Sequence, residues 1–211
     1  MTQFQAAPLL KICGVREVDE LQRLEHWGAD LAGLWFGMAG SPRALPLDAL
    51  HVLLREPLQR LRCIVVTAGA DPALLGPLAS VPGVAGLQLH GFALPSVVTQ
   101  LKRALGAERL LIKVLHVRAG RCLEDGLLPQ YADCGADLFI LDTFGSRQQL
   151  GSTGQRMPLA VLRELAERLG PSRVLAAGGL TPQAIAALAP LGLRGFDVDG
   201  AAREQSGLSE E

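Results

Sequence analysis

The sequence predicts an α/β fold, a single (β/α)8 barrel domain spanning residues 1–211. Three observations carry that prediction. Eight short apolar runs of strand character alternate with amphipathic helical stretches. No Pro/Gly/Ser-rich linker interrupts them. At 211 residues and 49% hydrophobic composition the chain can bury a large core, and its size sits near the lower limit for eight strand–helix units.

The first strand is Pro8–Cys13, closed by Gly14. Helical spacing follows over Arg16–Trp27, where Val18, Leu21, Leu24 and Trp27 share one face and Gly28 stops the turn. Leu31–Phe36 reads as the second strand, Asp48–Arg55 as a short helix and Arg62–Thr67 as the third strand. Asp71-Pro72 supplies an N-cap with proline at the first helical position. Val84–His90 is the fourth strand, Ser96–Leu105 a helix, Leu110–Val117 the fifth strand and Leu123–Cys134 a helix. Leu138–Asp142 is the sixth strand, leading into a glycine-containing loop over Thr143–Met157. Pro158–Leu169 reads as helix and Arg173–Ala177 as strand, and Thr181-Pro182 opens a helix reaching Leu191. Arg194–Val198 is the eighth strand, which completes a TIM barrel. Residues 199–211 are too short for a full outer helix, so an irregular tail and a bare or partner-covered flank are expected.

Composition narrows the function classes. Net charge is -1, with no basic clusters, which gives no electrostatic footprint for nucleic acid or an anionic membrane. No apolar run is long enough to span a bilayer, and Met1–Ala7 lacks the charged start of a secretory signal, so a cytoplasmic protein is expected. Cys13, Cys63, Cys122 and Cys134 show neither CxxC nor Cys/His spacing, so no metal site or disulfide framework is expected. A small-molecule partner remains, with monomer and homodimer both open.

In such a barrel the chemistry sits where strands end at their carboxyl side. Those ends are Cys13, Phe36, Thr67, His90, Val117, Asp142, Gly178 and Asp199. Lys11 and Cys13 lie two apart on a strand and share a face, so the cation can favour the thiolate over a thiol of ordinary pKa about 8.5. A buried structural cysteine fits the same stretch. Asp142, at the end of Leu138–Leu141, is a general acid if desolvated, or a loop cap through Thr143. Gly178-Gly179 before Thr181-Pro182 fits either a phosphate-holding turn or a steric requirement. Arg43 in Ser41-Pro42-Arg43 suits a carboxylate or phosphate, or is a surface residue, and His90 is a ligand contact or a satisfied rim histidine.

Together these stretches resemble the phosphoribosylanthranilate isomerase family of tryptophan biosynthesis. Lys11-Ile12-Cys13-Gly14, Ser41-Pro42-Arg43, Gln88-Leu89-His90-Gly91, Ile112-Lys113, Leu141-Asp142-Thr143, Gly151-Ser152-Thr153-Gly154 and Ala177-Gly178-Gly179-Leu180 occur in the family's order. The resemblance implies an aldose–ketose isomerase that performs an Amadori rearrangement without metal or cofactor. Asp142 would be the acid and Cys13 the base. Arg43 would pair with the anthranilate carboxylate, and Lys11, His90, Gly154, Gly178, Gly179, Asp199 and Gly200 would complete substrate binding.

The chain also departs from the family. The usual DVSSGVE is here Asp197-Val198-Asp199-Gly200-Ala201-Ala202-Arg203, so both serines are missing. Asp199 would repel a phosphate unless Arg203 or another cation neutralises it. The loop Gly37–Gly40 is about one residue longer than usual. The usual Phe, Asp and Trp after Gly154 give way to Arg156, Met157 and Pro158, and Phe92 replaces an acidic residue. Three readings follow: the family's isomerase, a diverged enzyme keeping Cys13 and Asp142 for a different substrate, with or without a phosphate, in a specialised pathway, and a non-catalytic barrel serving as a binding or scaffold subunit. Retention of Cys13, Arg43 and Asp142 argues against the last.

Overall fold

Eight strands lie parallel and close on themselves. They are β1 (Leu9–Cys13), β2 (Leu31–Trp35), β3 (Arg62–Thr67), β4 (Val84–Leu89), β5 (Leu110–Arg118), β7 (Leu138–Thr143), β8 (Val174–Ala176) and β9 (Gly195–Val198). Each pairs with its neighbour in order, and the β4–β5 and β1–β9 ladders complete the ring. The computed structural model describes residues 7–38, 40–145, 156–204 and 207–208. Gly154 and the rest of the Gly151–Gly154 motif lie outside the described residues.

Side-chain alternation sorts every strand into two layers. Leu31, Ile64, Ile112, Val114, Leu138, Ile140, Leu175 and Ala177 point inward and fill the barrel. Their neighbours, among them Ile12, Leu34, Val65, Leu87, Leu111, Leu115, Leu141 and Phe196, point outward and join the cluster under the helices. Those helices are α1 (Val18–Trp27), α2 (Leu47–Leu54), α3 (Pro72–Ala79), α4 (Pro95–Leu105), α5 (Leu128–Asp133), α6 (Leu159–Leu169) and α7 (Pro182–Leu188). Toward the carboxyl ends of the strands the inward positions turn polar, with Lys11, Cys13, Gln88, His90, His116 and Asp142 all buried. This change of character along one interior face places the site.

The helix signals act as their chemistry requires. Asp71 Oδ1 accepts from the backbone N–H of Ala73 at 2.9 Å, and Thr181 Oγ1 accepts from Ala184 at 3.2 Å, each with proline at the next position. The Glu20 carboxylate takes the backbone N–H of Arg16 at 2.6 Å ahead of α1, and Gly28 ends that helix in the left-handed region.

Two expectations are corrected. The helix read over Leu123–Cys134 does not form as such. β5 instead turns back through Ala119-Gly120, both at positive φ, into the two-residue strand β6 (Arg121–Cys122), and only α5 is helical after a 3-10 turn at Asp125–Leu127. Pro129 explains the late start, because proline is tolerated in a helix's first turn and not in its interior. The helix expected to reach Leu191 ends at Leu188 and tightens to a 3-10 turn where Pro190 has no N–H to donate. After β9, Gly200–Ala202 form a 3-10 turn, and β10 (Arg203–Glu204) pairs antiparallel with β11 (Gly207–Leu208). No eighth α-helix follows β9 among the described residues. Among them too, no helix is long and apolar enough to cross a membrane.

Candidate active site

Because Lys11 and Cys13 alternate onto the barrel interior, the ammonium reaches the sulfur directly, with Nζ to Sγ at 3.3 Å. Lys11 Nζ also donates to Asp197 Oδ1 of β9 at 2.8 Å, and Trp35 Nε1 of β2 donates to Cys13 Sγ at 3.0 Å. The sulfur therefore sits against two N–H donors, an arrangement that favours its anion. Gly33 makes the contact possible. A Cβ there would lie 2.8 Å from Cys13 Sγ and 3.1 Å from Lys11 Nζ.

Burial works against the donors. It pushes the Cys13 thiol up; Lys11 opposes it, Asp197 adds to it, and the Trp35 bond again opposes. Lys11 favours the thiolate as its place two residues away leads one to expect, but the solvation lost by a residue only 4% exposed outweighs its donors. Burial also raises the Asp197 carboxyl against the pull of Lys11. Lys11 itself would be driven down by burial, yet ends above its ordinary value because Asp197 and Cys13 face it.

Asp142 is held at the inner end of β7, in register with His116 of β5. Burial and the nearby Asp197 charge push its carboxyl up to about 7, with the Thr143 N–H and Lys11 opposing. The Thr143 N–H on the carboxylate is the bond a loop cap makes, and the raised carboxyl is what an acid protonated up to about neutrality requires, so both readings of Asp142 fit this one geometry. His90 Nε2 lies 3.8 Å from Asp142 Oδ2. Burial, assisted by His116, Lys11 and Lys113, lowers His90 to about 3, so it is a neutral imidazole.

A cavity of about 340 Å³ opens over these groups. Cys13, Trp35, His90 and Asp142 line it together with Gly178, Gly179, Asp199 and Gly200. Lys11, read as a substrate contact, is fully buried behind Cys13 and is not part of the wall. Its ammonium is spent on Cys13 and Asp197 instead. Arg43 is also absent from the wall. It pairs with Asp199 and stacks over Trp35, its guanidinium carbon 5.8 Å from the ring centre. Gly14 allows that approach, since at φ +76 a Cβ would meet the Arg43 side chain at 2.8 Å. The like charge expected from Asp199 at the phosphate seat is thus matched by Arg43.

Sequence reasoning missed four contributors. Trp35 and Asp197 bracket the Lys11–Cys13 pair. His116 lies behind His90, ring centres 5.8 Å apart and outside the wall; its Nδ1 bonds Glu124 at 2.7 Å, and among the described residues its buried Nε2 has no hydrogen-bond partner. Arg156 enters the cavity wall beside Gly179. The available signal was the period of two: Trp35 and His116 follow the inward positions Gly33 and Val114 by two. Among the described residues no group of three or more His, Cys, Asp or Glu side chains is arranged to hold a metal ion.

Comparison with known proteins agrees with this geometry. Residues 10–210 match the family model described as N-(5'-phosphoribosyl)anthranilate (PRA) isomerase. The N-(5'-phosphoribosyl)anthranilate isomerase of Synechococcus sp. (strain JA-3-3Ab) is 32% identical over 199 residues, covering 94% of this chain and 84% of that protein. The isomerase of Thiobacillus denitrificans is 34% identical over 178 residues, 84% of this chain and 79% of that one. Among solved structures, phosphoribosyl anthranilate isomerase from Thermotoga maritima superposes with a TM-score of 0.78 at 20% identity, covering 96% of this chain and 93% of the other. Another, at TM-score 0.74 and 20% identity, was solved in complex with reduced 1-(o-carboxyphenylamino)-1-deoxyribulose 5-phosphate and covers 96% of this chain and 92% of its own. The likeness in fold, the match across residues 10–210 and the identity to curated relatives converge: the chain belongs to the N-(5'-phosphoribosyl)anthranilate isomerase family.

Proposed function

We propose that this chain is a phosphoribosylanthranilate isomerase, converting N-(5-phosphoribosyl)anthranilate to 1-(2-carboxyphenylamino)-1-deoxyribulose 5-phosphate. The observation that carries the reading is that Cys13 and Asp142 line one cavity, where burial keeps the carboxyl protonated to about pH 7 and two donors face the sulfur. Asp142 protonates the furanose ring oxygen, the C1–O bond breaks, and the anthranilate nitrogen supplies the electrons that form the Schiff base. Cys13 as thiolate then removes the C2 proton, and the C–H electrons close the C1–C2 double bond of an enolamine. Tautomerisation gives the ketone.

Arg43 stands outside the wall but pairs with the wall residue Asp199; it is the guanidinium the resemblance gives to the anthranilate carboxylate, and its five N–H donors can serve both carboxylates once substrate draws it in. His90, neutral and with no hydrogen-bond partner on either ring nitrogen among the described residues, is available to a substrate hydroxyl. Lys11 holds the sulfur's charge without touching substrate. The ion pair at Asp199 removes the main ground for a non-phosphorylated substrate, because the added negative charge has its own partner.

The test is loss of substrate fluorescence, with phosphoribosylanthranilate generated in situ, for the wild-type protein and Cys13→Ala. Turnover that vanishes in the variant is expected. A folded wild-type protein without turnover would remove the isomerase reading.

A further inference from the structure

Among the described residues the charged groups around the cavity are matched, with one exception. Lys11 faces Asp197, and Arg43 faces Asp199. Asp142 carries its proton near neutrality, and His90 is uncharged. Arg156 differs from all of these. Its Nε donates to the Gly179 carbonyl at 3.3 Å and its Nη2 to Thr181 Oγ1 at 3.2 Å, both neutral acceptors. Among the described residues no carboxylate pairs with it. Three of its five N–H donors remain for another partner.

Its location gives that partner a chemistry. Arg156 lines the cavity with Gly178, Gly179, Thr181 and Gly200. Gly178 and Gly179 sit at φ 84 and 58, and their N–H groups take no backbone acceptor among the described residues. A guanidinium of uncompensated charge beside free backbone donors is a seat for a tetrahedral oxyanion, which a planar fork can meet through two oxygens at once. The bonds to Gly179 and Thr181 tie the exposed guanidinium to the turn after β8.

We propose that Arg156 is the cation that binds the substrate's phosphate and sets the preference for a phosphorylated sugar. The inference rests on the isomerase reading for the identity of the anion. The resemblance implies no arginine at position 156, so the proposal rests on this chain's own geometry. It balances the electrostatics that the change from serine to Asp199 disturbed: Asp199 occupies Arg43, and Arg156 restores positive charge at the other anion of the substrate.

The test compares wild type with Arg156→Ala and Arg156→Lys in two assays: steady-state turnover, and calorimetric titration with inorganic phosphate. For Arg156→Ala, KM is expected to rise about 10- to 100-fold while kcat stays within about threefold, and phosphate affinity falls at least tenfold. Arg156→Lys is expected to recover part of both losses, because it keeps the charge and loses the fork. A residue with only a structural role would not give a KM effect rescued by lysine at unchanged melting temperature. Equal KM and equal phosphate affinity in wild type and Arg156→Ala would overturn the proposal. Should wild type bind phosphate through Arg156 yet show no turnover, the isomerase reading fails and the anion site stands. Wild type that turns over substrate but binds phosphate independently of Arg156 leaves the isomerase reading and overturns this one.

Discussion

The cavity's two ends hold ion pairs of opposite construction. At the acid–base end Lys11 and Asp197 project from adjacent strands, with side chains 0% and 9% exposed. At the anion end Arg43 and Asp199 lie just past β2 and β9, with side chains 25% and 16% exposed. Strand register fixes the first pair through the Lys11–Asp197 partnership of β1 and β9. Nothing in the ladder fixes the second. Groups on strands set the chemistry and are bound up with stability, whereas groups on loops set affinity and can be exchanged at little cost to folding. On the roles proposed above, that fits a chain that carries Lys11, Cys13 and Asp142 as the resemblance implies and departs from it at Asp199 and Arg156.

The largest expected effect lies at the buried end. Cys13→Ala and Asp142→Asn should each lower kcat by roughly 10³-fold or more, the scale of a lost general base or acid, while binding of the reduced product analogue changes little. A loss under tenfold in either variant would break the assignment. The next test breaks one pair at each end. Lys11→Met leaves the Asp197 carboxylate buried against apolar walls and should cost about 3–5 kcal/mol of unfolding free energy, less if Asp197 takes up a proton. Arg43→Ala should cost about 1 kcal/mol or less, because both partners keep contact with water. Urea unfolding of the two variants decides it, and equal costs would erase the distinction.

Protonation supplies a smaller test. The acid, at about 7, titrates below the base, which burial raises from its ordinary value. The reactive form, protonated Asp142 with Cys13 thiolate, therefore holds the same number of protons as the more abundant carboxylate–thiol form. Both appear when the pair loses its first proton. Activity should rise, not fall, through pH 7: kcat/KM should increase roughly tenfold from pH 6 to 8 before declining when the second proton leaves. A steady fall over that range would mean that the acid loses its proton after the base.

How far the sequence discloses this division follows from range. Alternation over five or six residues placed Lys11 beside Cys13, and the Asp71-Pro72 and Thr181-Pro182 caps marked two helix starts, since each depends on residues within a few positions. Strand ends were harder. Taking the last residue of an apolar run selects Phe36 and Val117, which pack outward under the helices, while Trp35 and His116, one residue earlier, face the site. One position inverts the face. The helix misread at Leu123–Cys134 shows the same limit, because Pro129 leaves only a short helix behind it. The Arg43–Asp199 pair joins residues 156 positions apart, and no local pattern carries it.

That pair gives the last and smallest prediction. If Asp199 were a bare negative charge at the phosphate seat, Asp199→Ser would tighten phosphate most. Because its carboxylate is committed to Arg43, the substitution chiefly releases a guanidinium. Anthranilate, which carries the carboxylate alone, should then bind a few-fold more tightly, and inorganic phosphate should gain less. Competition titrations with the two anions separate the cases. A larger gain for phosphate would mean that Asp199 acts on the Arg156 seat, and the anion end would then be one coupled network in which Arg43 cannot be exchanged without disturbing Arg156. The order expected here, anthranilate before phosphate, corresponds to two separate anion contacts, so the position after β9 could change from serine to aspartate while an arginine before α6 took over the phosphate.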